Sequence, residues 1–274
     1  MAHLDTNKVR SSQHQQNQTE ILEYGDIYFF YRPKVRSEKV KSIEDVRRFF
    51  MITASEQRAN NSNSDNQIYR LFVVGKKSLP TIRKSEARAS ERFWARIGGV
   101  FKNANELTKE LLSDEFRRGD AARPVGEGKY ALVKYQNHAE IAYILELPKE
   151  PGEAQKELGI EKEASYIISV INPNHPTPTG YPSAEESPKY PEKILKEFDK
   201  NGNFVSLSKD TDFINYQNAQ VILIGAREGK DELSKEFGVD IEEQVSGKSM
   251  DIFKKLNIKR GQISTKPLTE GKLE

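Results

Sequence analysis

The chain has 274 residues, with 43 Lys+Arg against 41 Asp+Glu and a formal net charge of +2. It contains no cysteine, which excludes disulfides, thiolate metal sites and cysteine nucleophiles. No run of the sequence approaches the roughly 20 apolar residues of a membrane-spanning helix, and the polar first residues lack the pattern of a signal peptide. We therefore expect a soluble, cytoplasmic protein with no membrane partner.

The first half of the chain begins with a polar stretch that has no apolar period, which predicts a disordered tail over 1–22. Aromatic and β-branched residues at 27–31 predict a strand, and a hairpin is predicted from 46–53 to 68–75. Phe93, Trp94 and Ile97 share a face at helical spacing, which predicts a helix from Ser85 to the Gly98-Gly99 pair.

Further along, Asn103 is suited to cap a second helix, in which Leu107 and Leu111 lie on one stripe. The next segments predict a hairpin of 129–135 with 139–147, a helix over 152–158 ended by Gly159, and strands at 165–171 and 219–225. Between those strands lie a Pro-rich loop over 172–191 and a helix over 192–198. Short helices are predicted at 231–237 and 249–256, followed by a solvated tail from Lys259.

These elements predict an α+β protein whose mostly antiparallel sheet is built from β-hairpins with short helices. The predicted organisation is a disordered tail over 1–22, an α+β domain over 23–228 and a partly helical, flexible segment over 229–274. The α+β domain may be read as one unit or as two sub-domains, 23–125 and 126–228.

The charge is unevenly distributed along the chain. Residues 1–125 hold 23 Lys+Arg and 16 Asp+Glu, whereas the remainder holds 20 and 25. In the basic half, cations stand beside aromatic residues, a composition that serves single-stranded nucleic acid because cations bind phosphates and aromatic faces stack on bases. The alternative is that the aromatic residues form the core and the cations are the solvated opposite face.

The first functional hypothesis is therefore a non-enzymatic binding module for RNA or another phosphate-bearing partner. The candidate binding residues share this half of the chain and are Tyr31, Arg32, Lys34, Arg36, Arg47, Arg48, Trp94, Arg117, Arg118 and Arg123.

Two other functions remain open. The first is an enzyme in which His175, on the Pro-rich loop, acts as general acid or base with Tyr31 or Arg32. The second is a protein–protein adaptor that uses the acidic half. The four histidines lack the spacing of a helical metal site, and no segment of the chain matches the motif of a phosphate-binding loop. We therefore expect no metal and no cofactor.

Three segments carry a family resemblance: YGDIYFFYRPKV at 24–35, DVRRFFM at 45–51 and ARPVGEGKY at 122–130. In these segments the chain resembles an uncharacterised prokaryotic family of hypothetical proteins, over roughly residues 24–226. The resemblance implies no activity, and it assigns a role to no residue.

Overall fold

The computed structural model of the chain describes residues 19–34, 40–56, 67–82, 91–112, 121–176, 186–198, 202–208, 210–229, 233, 251–256, 258 and 263–274. Residues 1–18 of the tail predicted over 1–22 lie outside these ranges, as does the helix predicted over 231–237 apart from Leu233. Within the described ranges, none of the helices has the length and apolar character needed to cross a membrane.

The described residues form nine strands and five short α-helices. The strands are β1 (Thr19–Pro33), β2 (Val46–Glu56), β3 (Tyr69–Val74), β4 (Arg92–Phe101), β5 (Arg123–Tyr135), β6 (His138–Leu147), β7 (Glu163–Ile171), β8 (Phe204–Ser206) and β9 (Gln220–Glu228). The helices are α1 (Ala104–Leu112), α2 (Glu153–Glu157), α3 (Glu192–Phe198), α4 (Ile252–Lys255) and α5 (Lys266–Thr269), with 3-10 turns at Ile43–Asp45 and Thr211–Ile214.

Eight of these strands close into an antiparallel barrel in the order β1-β2-β3-β4-β9-β7-β6-β5, with β5 returning to β1. The predicted hairpins β2–β3 and β5–β6 are confirmed. The ring is completed by the pairings of β4 with β9, of β9 with β7 and of β7 with β6. The short β8 extends the sheet by pairing with the last three residues of β7.

The predicted α+β class is therefore wrong, because the strands form a closed barrel to which short helices are attached. Local patterns identify hairpins, but they carry no information on whether the outer strands of two hairpins also pair with distant segments. That distant pairing is what turns a set of hairpins into a barrel.

The helix predicted from Ser85 to Gly98 is also wrong in its described part, where β4 runs instead. Ala95 and Ile97 point into the barrel and are fully buried, while Trp94 points outward, which is the period of a strand. The Gly98-Gly99 pair lies at a register shift: Leu71 pairs with Gly99 and Phe72 with Ile97, so Gly98 has no partner position on β3. The glycine pair that was predicted to end a helix therefore forms a β-bulge.

Alternate residues of each strand fill the barrel interior. Ile27, Phe29 and Tyr31 of β1 are completely buried there. The ring of Phe29 stacks parallel to Phe49 at 6.2 Å and meets Tyr143 edge-on at 5.1 Å between centroids. As in other eight-stranded barrels, the side chains themselves fill the interior, which is a packed core.

The outward faces of β1–β3 are buried as well, because helices cover them. Leu107 and Leu111 of α1 pack on this wall together with Ile252 and Leu256 of the α4 segment. The predicted Asn103 cap is confirmed, since its Oδ1 accepts from the Glu106 amide at 3.1 Å.

The chain near its C-terminal residues also packs against the barrel. Leu268 of α5 is only 3% exposed, which corrects the prediction of a solvated tail after Lys259. The Gln155 side chain of α2 donates to the carbonyl of Val125 and to that of Pro267, at 2.7 and 2.9 Å. These bonds attach this segment to one end of the barrel.

Strands from both halves of the sequence are neighbours in the barrel. β1 pairs with β5 over most of its length, and β5 itself crosses the boundary between 125 and 126. β1 begins at Thr19, inside the stretch that the sequence suggested as a tail. In the described residues, the ranges 23–125 and 126–228 thus contribute to a single core.

Candidate nucleic-acid interface

The five described candidate cations all lie at one end of the barrel. Arg32 and Lys34 are at the end of β1, Arg47 and Arg48 at the start of β2, and Arg123 at the start of β5. Antiparallel pairing places these positions together, because Arg32 lies opposite Arg48, and Tyr31 lies opposite Arg123. Arg36, Arg117 and Arg118 lie outside the described residues.

Arg32 is directed into the protein. It is 2% exposed, and its Nη2 donates to the carbonyls of Glu110 and Leu111 at 2.9 and 3.1 Å. These carbonyls belong to the last turn of α1, where a positive charge is favoured by the helix dipole. The guanidinium also lies 5.5 Å from the Phe50 ring centroid. Arg32 therefore caps α1 and fixes that helix on the barrel wall.

Tyr31 is a core residue. Its ring is fully buried, its hydroxyl donates to the Glu274 carbonyl at 3.0 Å, and the Glu274 amide donates to it at 3.2 Å. Burial raises the pKa of Tyr31, so the phenol stays protonated and can serve as the donor in this pair. With both ring faces in the core, Tyr31 holds the 263–274 segment at the barrel end and offers no surface for a base.

The cations that reach the surface at this end form a group that we call the basic rim. Lys34 is exposed, and Arg47 and Arg48 are half-buried. The sequence analysis missed three more: Lys76 and Lys77 in the turn after β3, and Arg92 at the start of β4. The end of β3 and the start of β4 lie beside the start of β2, so pairing brings all of them together. The basic rim is Lys34, Arg47, Arg48, Lys76, Lys77 and Arg92.

Trp94 lies on the outer face of β4 next to the basic rim. It is half-buried, and its backbone carbonyl accepts from the Gly75 amide at 3.0 Å. Arg96, which is two residues after Trp94 on the same face of β4, donates to Asn218 Oδ1 at 2.6 Å. Trp94 is thus a partly exposed aromatic ring among cations.

His175 lies at the other end of the barrel. It is exposed on the loop that follows β7, and β7 begins at the end where β1 finishes. The structure therefore separates His175 from Tyr31 and Arg32 by the length of the barrel. A shallow depression of about 580 Å³ is lined by Gly152, Glu153, Lys156 and Glu157, none of which belongs to the proposed enzymatic set.

Metal ligation has no candidate in the described part of the chain, where no three His, Asp or Glu side chains are grouped to hold an ion.

A buried ion pair lies inside the barrel, toward the end that carries His175. Arg70 is 1% exposed, and its Nη1 and Nη2 donate to the Glu23 carboxylate at 2.6 and 2.9 Å. Arg70 Nε donates to Asn215 Oδ1 at 2.7 Å, and the Tyr130 hydroxyl donates to Glu23 at 2.5 Å. Burial raises the pKa of Tyr130 well above its usual range and keeps this donor protonated. The bidentate geometry is typical of a structural ion pair, and this pair fills the barrel interior near that end.

A second polar cluster joins three strands on the outer wall. The fully buried Glu140 of β6 accepts from Ser165 Oγ at 2.7 Å and from Arg227, and it lies 2.9 Å from His138 Nε2. Burial alone would raise the pKa of Glu140, but the hydrogen bonds from His138, Arg227 and Ser165 hold that pKa below its ordinary value. A carboxylate held ionised in this way is a weak base, which favours a structural role.

A third cluster lies between the barrel wall and α4. Lys129 Nζ is 2.9 Å from Asp26 and 3.1 Å from Glu56, and Lys255 of α4 is 3.4 Å from Asp26. Beside them, Glu127 is 5% exposed and accepts from the Ile252 amide at 3.0 Å. Sequence reasoning identified none of these three clusters, because each unites residues that are far apart in the chain.

Comparison with protein-family models, with curated proteins and with solved structures finds no match for this chain. The resemblance to an uncharacterised prokaryotic family therefore stays a prediction.

Proposed function

We propose that the protein is a non-enzymatic binding module for RNA, or for another phosphate-bearing partner, and that it binds this partner through the basic rim. The observation that carries the proposal is the convergence of Lys34, Arg47, Arg48, Lys76, Lys77 and Arg92 on four adjacent strands at one end of the barrel. A cytoplasmic location belongs to the same proposal, because RNA is available there.

The dimensions of the basic rim favour an extended partner. Adjacent strands are about 4.8 Å apart, so β1 to β4 present their cations over about 15 Å. That width suits consecutive phosphates along a strand better than one small phosphate-bearing molecule. Lysine and arginine contacts to phosphate would supply the affinity and release counterions on binding.

Acidic side chains at the same end of the barrel would repel a polyanion. Glu153 and Glu157 of α2 are exposed there, with Lys156 between them. Repulsion by these carboxylates would keep a negatively charged chain off α2, and the Leu79 amide, which donates to the Leu158 carbonyl at 2.9 Å, places this helix next to the β3–β4 connection.

The test is a fluorescence-anisotropy titration of the full chain with a labelled, mixed-sequence, single-stranded RNA at salt concentrations from about 20 to 300 mM. The wild-type affinity should fall steeply with salt. In the double variant Lys34→Gln/Arg48→Gln, the slope of log affinity against log salt should be smaller by about 1.4, or about 0.7 for each lost phosphate contact. We also expect affinity at low salt to fall by about tenfold.

The matched control is Lys193→Gln/Lys196→Gln on α3. This helix is at the opposite end, where the Asn172 side chain after β7 donates to the Phe198 carbonyl at 3.0 Å. The control has the same charge change and should leave binding unaltered. Absence of RNA binding by the wild type at the lowest salt, or an equal loss in both double variants, would overturn the proposal.

A further inference from the structure

Trp94 lies in the space where the residue opposite it would carry a side chain. A Cβ atom built on Gly75 would be 2.2 Å from Cε2, 2.4 Å from Cζ2 and 2.7 Å from Cδ2 of the indole. These three atoms belong to the fused part of the ring system, so the indole lies directly on the Gly75 backbone. Only glycine allows this approach, and the contact fixes the ring against the barrel wall.

The Trp94 ring, although it lies against Gly75, is still partly exposed at the surface. Trp94 is half-buried, although Gly75 holds it from below. A large aromatic ring that lies against a backbone on one side and is partly exposed has a defined orientation. It can stack on a planar partner without first losing rotamer freedom.

Cations surround this ring on the same outer face. Arg92 and Arg96 are two residues before and after Trp94, which in a strand puts them on the same side at about 7 Å. Arg48 lies in line with Trp94 across the sheet. Phe49 pairs with Val74, so Arg48, which precedes Phe49, lies opposite Gly75, which follows Val74. The α-carbons of Arg48 and Trp94 are therefore about 10 Å apart, two strand spacings, with Gly75 between them.

We propose that Trp94 is a stacking platform for one unpaired base, with Arg48 and Arg92 on the flanking phosphates, so that the protein selects single-stranded over duplex RNA. This inference rests on the proposed function and adds the strand selectivity to it. Every base has a π-face that can stack on an indole, but in a duplex those faces are already stacked on neighbouring bases. A binder that used cations alone would accept both forms.

Trp94 also offers a direct signal, because it is the only tryptophan in the chain. In a titration with single-stranded oligouridylate at low salt, base stacking should quench the Trp94 emission with the same midpoint as the anisotropy change. An RNA duplex of equal length should leave the emission nearly unchanged.

The variants Trp94→Leu and Trp94→Phe separate stacking from packing. Loss of the ring in Trp94→Leu should weaken binding to the single strand by about 10- to 100-fold and binding to the duplex by less than about threefold. Trp94→Phe keeps an aromatic face above Gly75 and should stay within about fivefold of the wild type for both RNAs. Thermal unfolding of each variant shows whether the change acts through the fold.

The outcomes distinguish this inference from the proposed function. If the wild type binds RNA and Lys34→Gln/Arg48→Gln weakens that binding, but Trp94 is not quenched and Trp94→Leu binds both RNAs as the wild type does, the platform is wrong and the basic rim stands. In that case Trp94 serves to cover Gly75 and stabilise the strand pair. If the wild type binds neither RNA at low salt, both proposals fail.

Discussion

Glu127 lies beneath α4 on the outer wall of the barrel, where water has little access to its carboxylate. Burial raises the pKa of Glu127 to about 7, the hydrogen bond from the Ile252 amide opposes that rise, and the charges of Asp251, Glu146 and Asp26 add to it. In the unfolded chain the same carboxyl titrates near 4.5. At a pH between these two pKa values, Glu127 carries a proton in the folded protein but has lost it in the unfolded chain.

The sign of the resulting pH dependence follows from linkage. Because the folded pKa is above the unfolded one, the contribution of Glu127 to stability is complete below about pH 4.5 and is lost as the pH rises through 7. Glu127→Gln keeps a side-chain oxygen for the Ile252 amide and removes the titration. At pH 8 we expect the variant to be more stable than the wild type by about 2–3 kcal/mol, and near pH 4.5 the difference should vanish.

Urea unfolding of both proteins at several pH values from 4.5 to 8 measures this difference. Glu153→Gln on the exposed surface of α2 is the matched control for the loss of one carboxyl group. A Glu127→Gln effect that is constant across the range would show that Glu127 is ionised in the folded protein throughout.

Arg32 shows how far residue-level reasoning from sequence extends. The sequence places it beside aromatic residues in a basic segment, which indicates a surface cation. Its actual partners are carbonyls at the end of α1, 78 and 79 residues further along the chain. Cation density could be predicted from composition, whereas the division into rim cations and a helix cap depends on tertiary packing.

At the scale of elements, α1 is the helix whose local signals were clearest. Asn103 caps it, and Leu107 and Leu111 face the wall formed by β1–β3. Asn103→Ala leaves the Glu106 amide without this acceptor, so we expect the free energy of unfolding to fall by about 1 kcal/mol. Asn103→Asp, which retains a capping oxygen, should stay within about 0.5 kcal/mol of the wild type.

Chemical denaturation gives the measurement, and Lys102→Ala next to the cap is the control for a surface change that removes no capping oxygen. Equal losses in Asn103→Ala and Asn103→Asp would mean that the hydrogen bond to Glu106 does not stabilise α1.

Some of the strands could be predicted from the sequence and others could not. Hairpins β2–β3 and β5–β6 were predictable, because in each of them the two paired strands follow one another directly in the sequence. β4 was not, because Phe93, Trp94 and Ile97 fit a helical face as well as a strand in isolation. The choice is made by β3 and β9, which supply hydrogen-bonding partners on both sides of β4. Tertiary pairing overrides local preference here.

For the molecule as a whole, closure of the barrel predicts cooperative unfolding. β1 pairs with β5 and β4 with β9, so each half of the sequence completes the core of the other. Trp94 fluorescence, which reports β4, and far-ultraviolet circular dichroism, which reports all strands, should therefore give the same urea midpoint.

A substitution distant from Trp94 tests this directly. Ile168→Ala in β7 removes a fully buried side chain from the interior and should destabilise the protein by about 2–4 kcal/mol. If the barrel unfolds as one unit, the midpoint seen by Trp94 shifts as much as the midpoint seen by circular dichroism. A shift in the dichroism alone would reveal independent halves.

The order of strands around the barrel gives the charge asymmetry of the sequence a direction in space. β1 to β4 come from the basic half and occupy one continuous arc, and β9, β7, β6 and most of β5 come from the acidic half and complete the circle. Among the described strands and their ends, a chain with a net charge of only +2 therefore carries its excess of cations on one side of the barrel axis. In the field of a polyanion such a molecule turns before it makes contact, so its rate of encounter should depend on ionic strength more steeply than its net charge suggests.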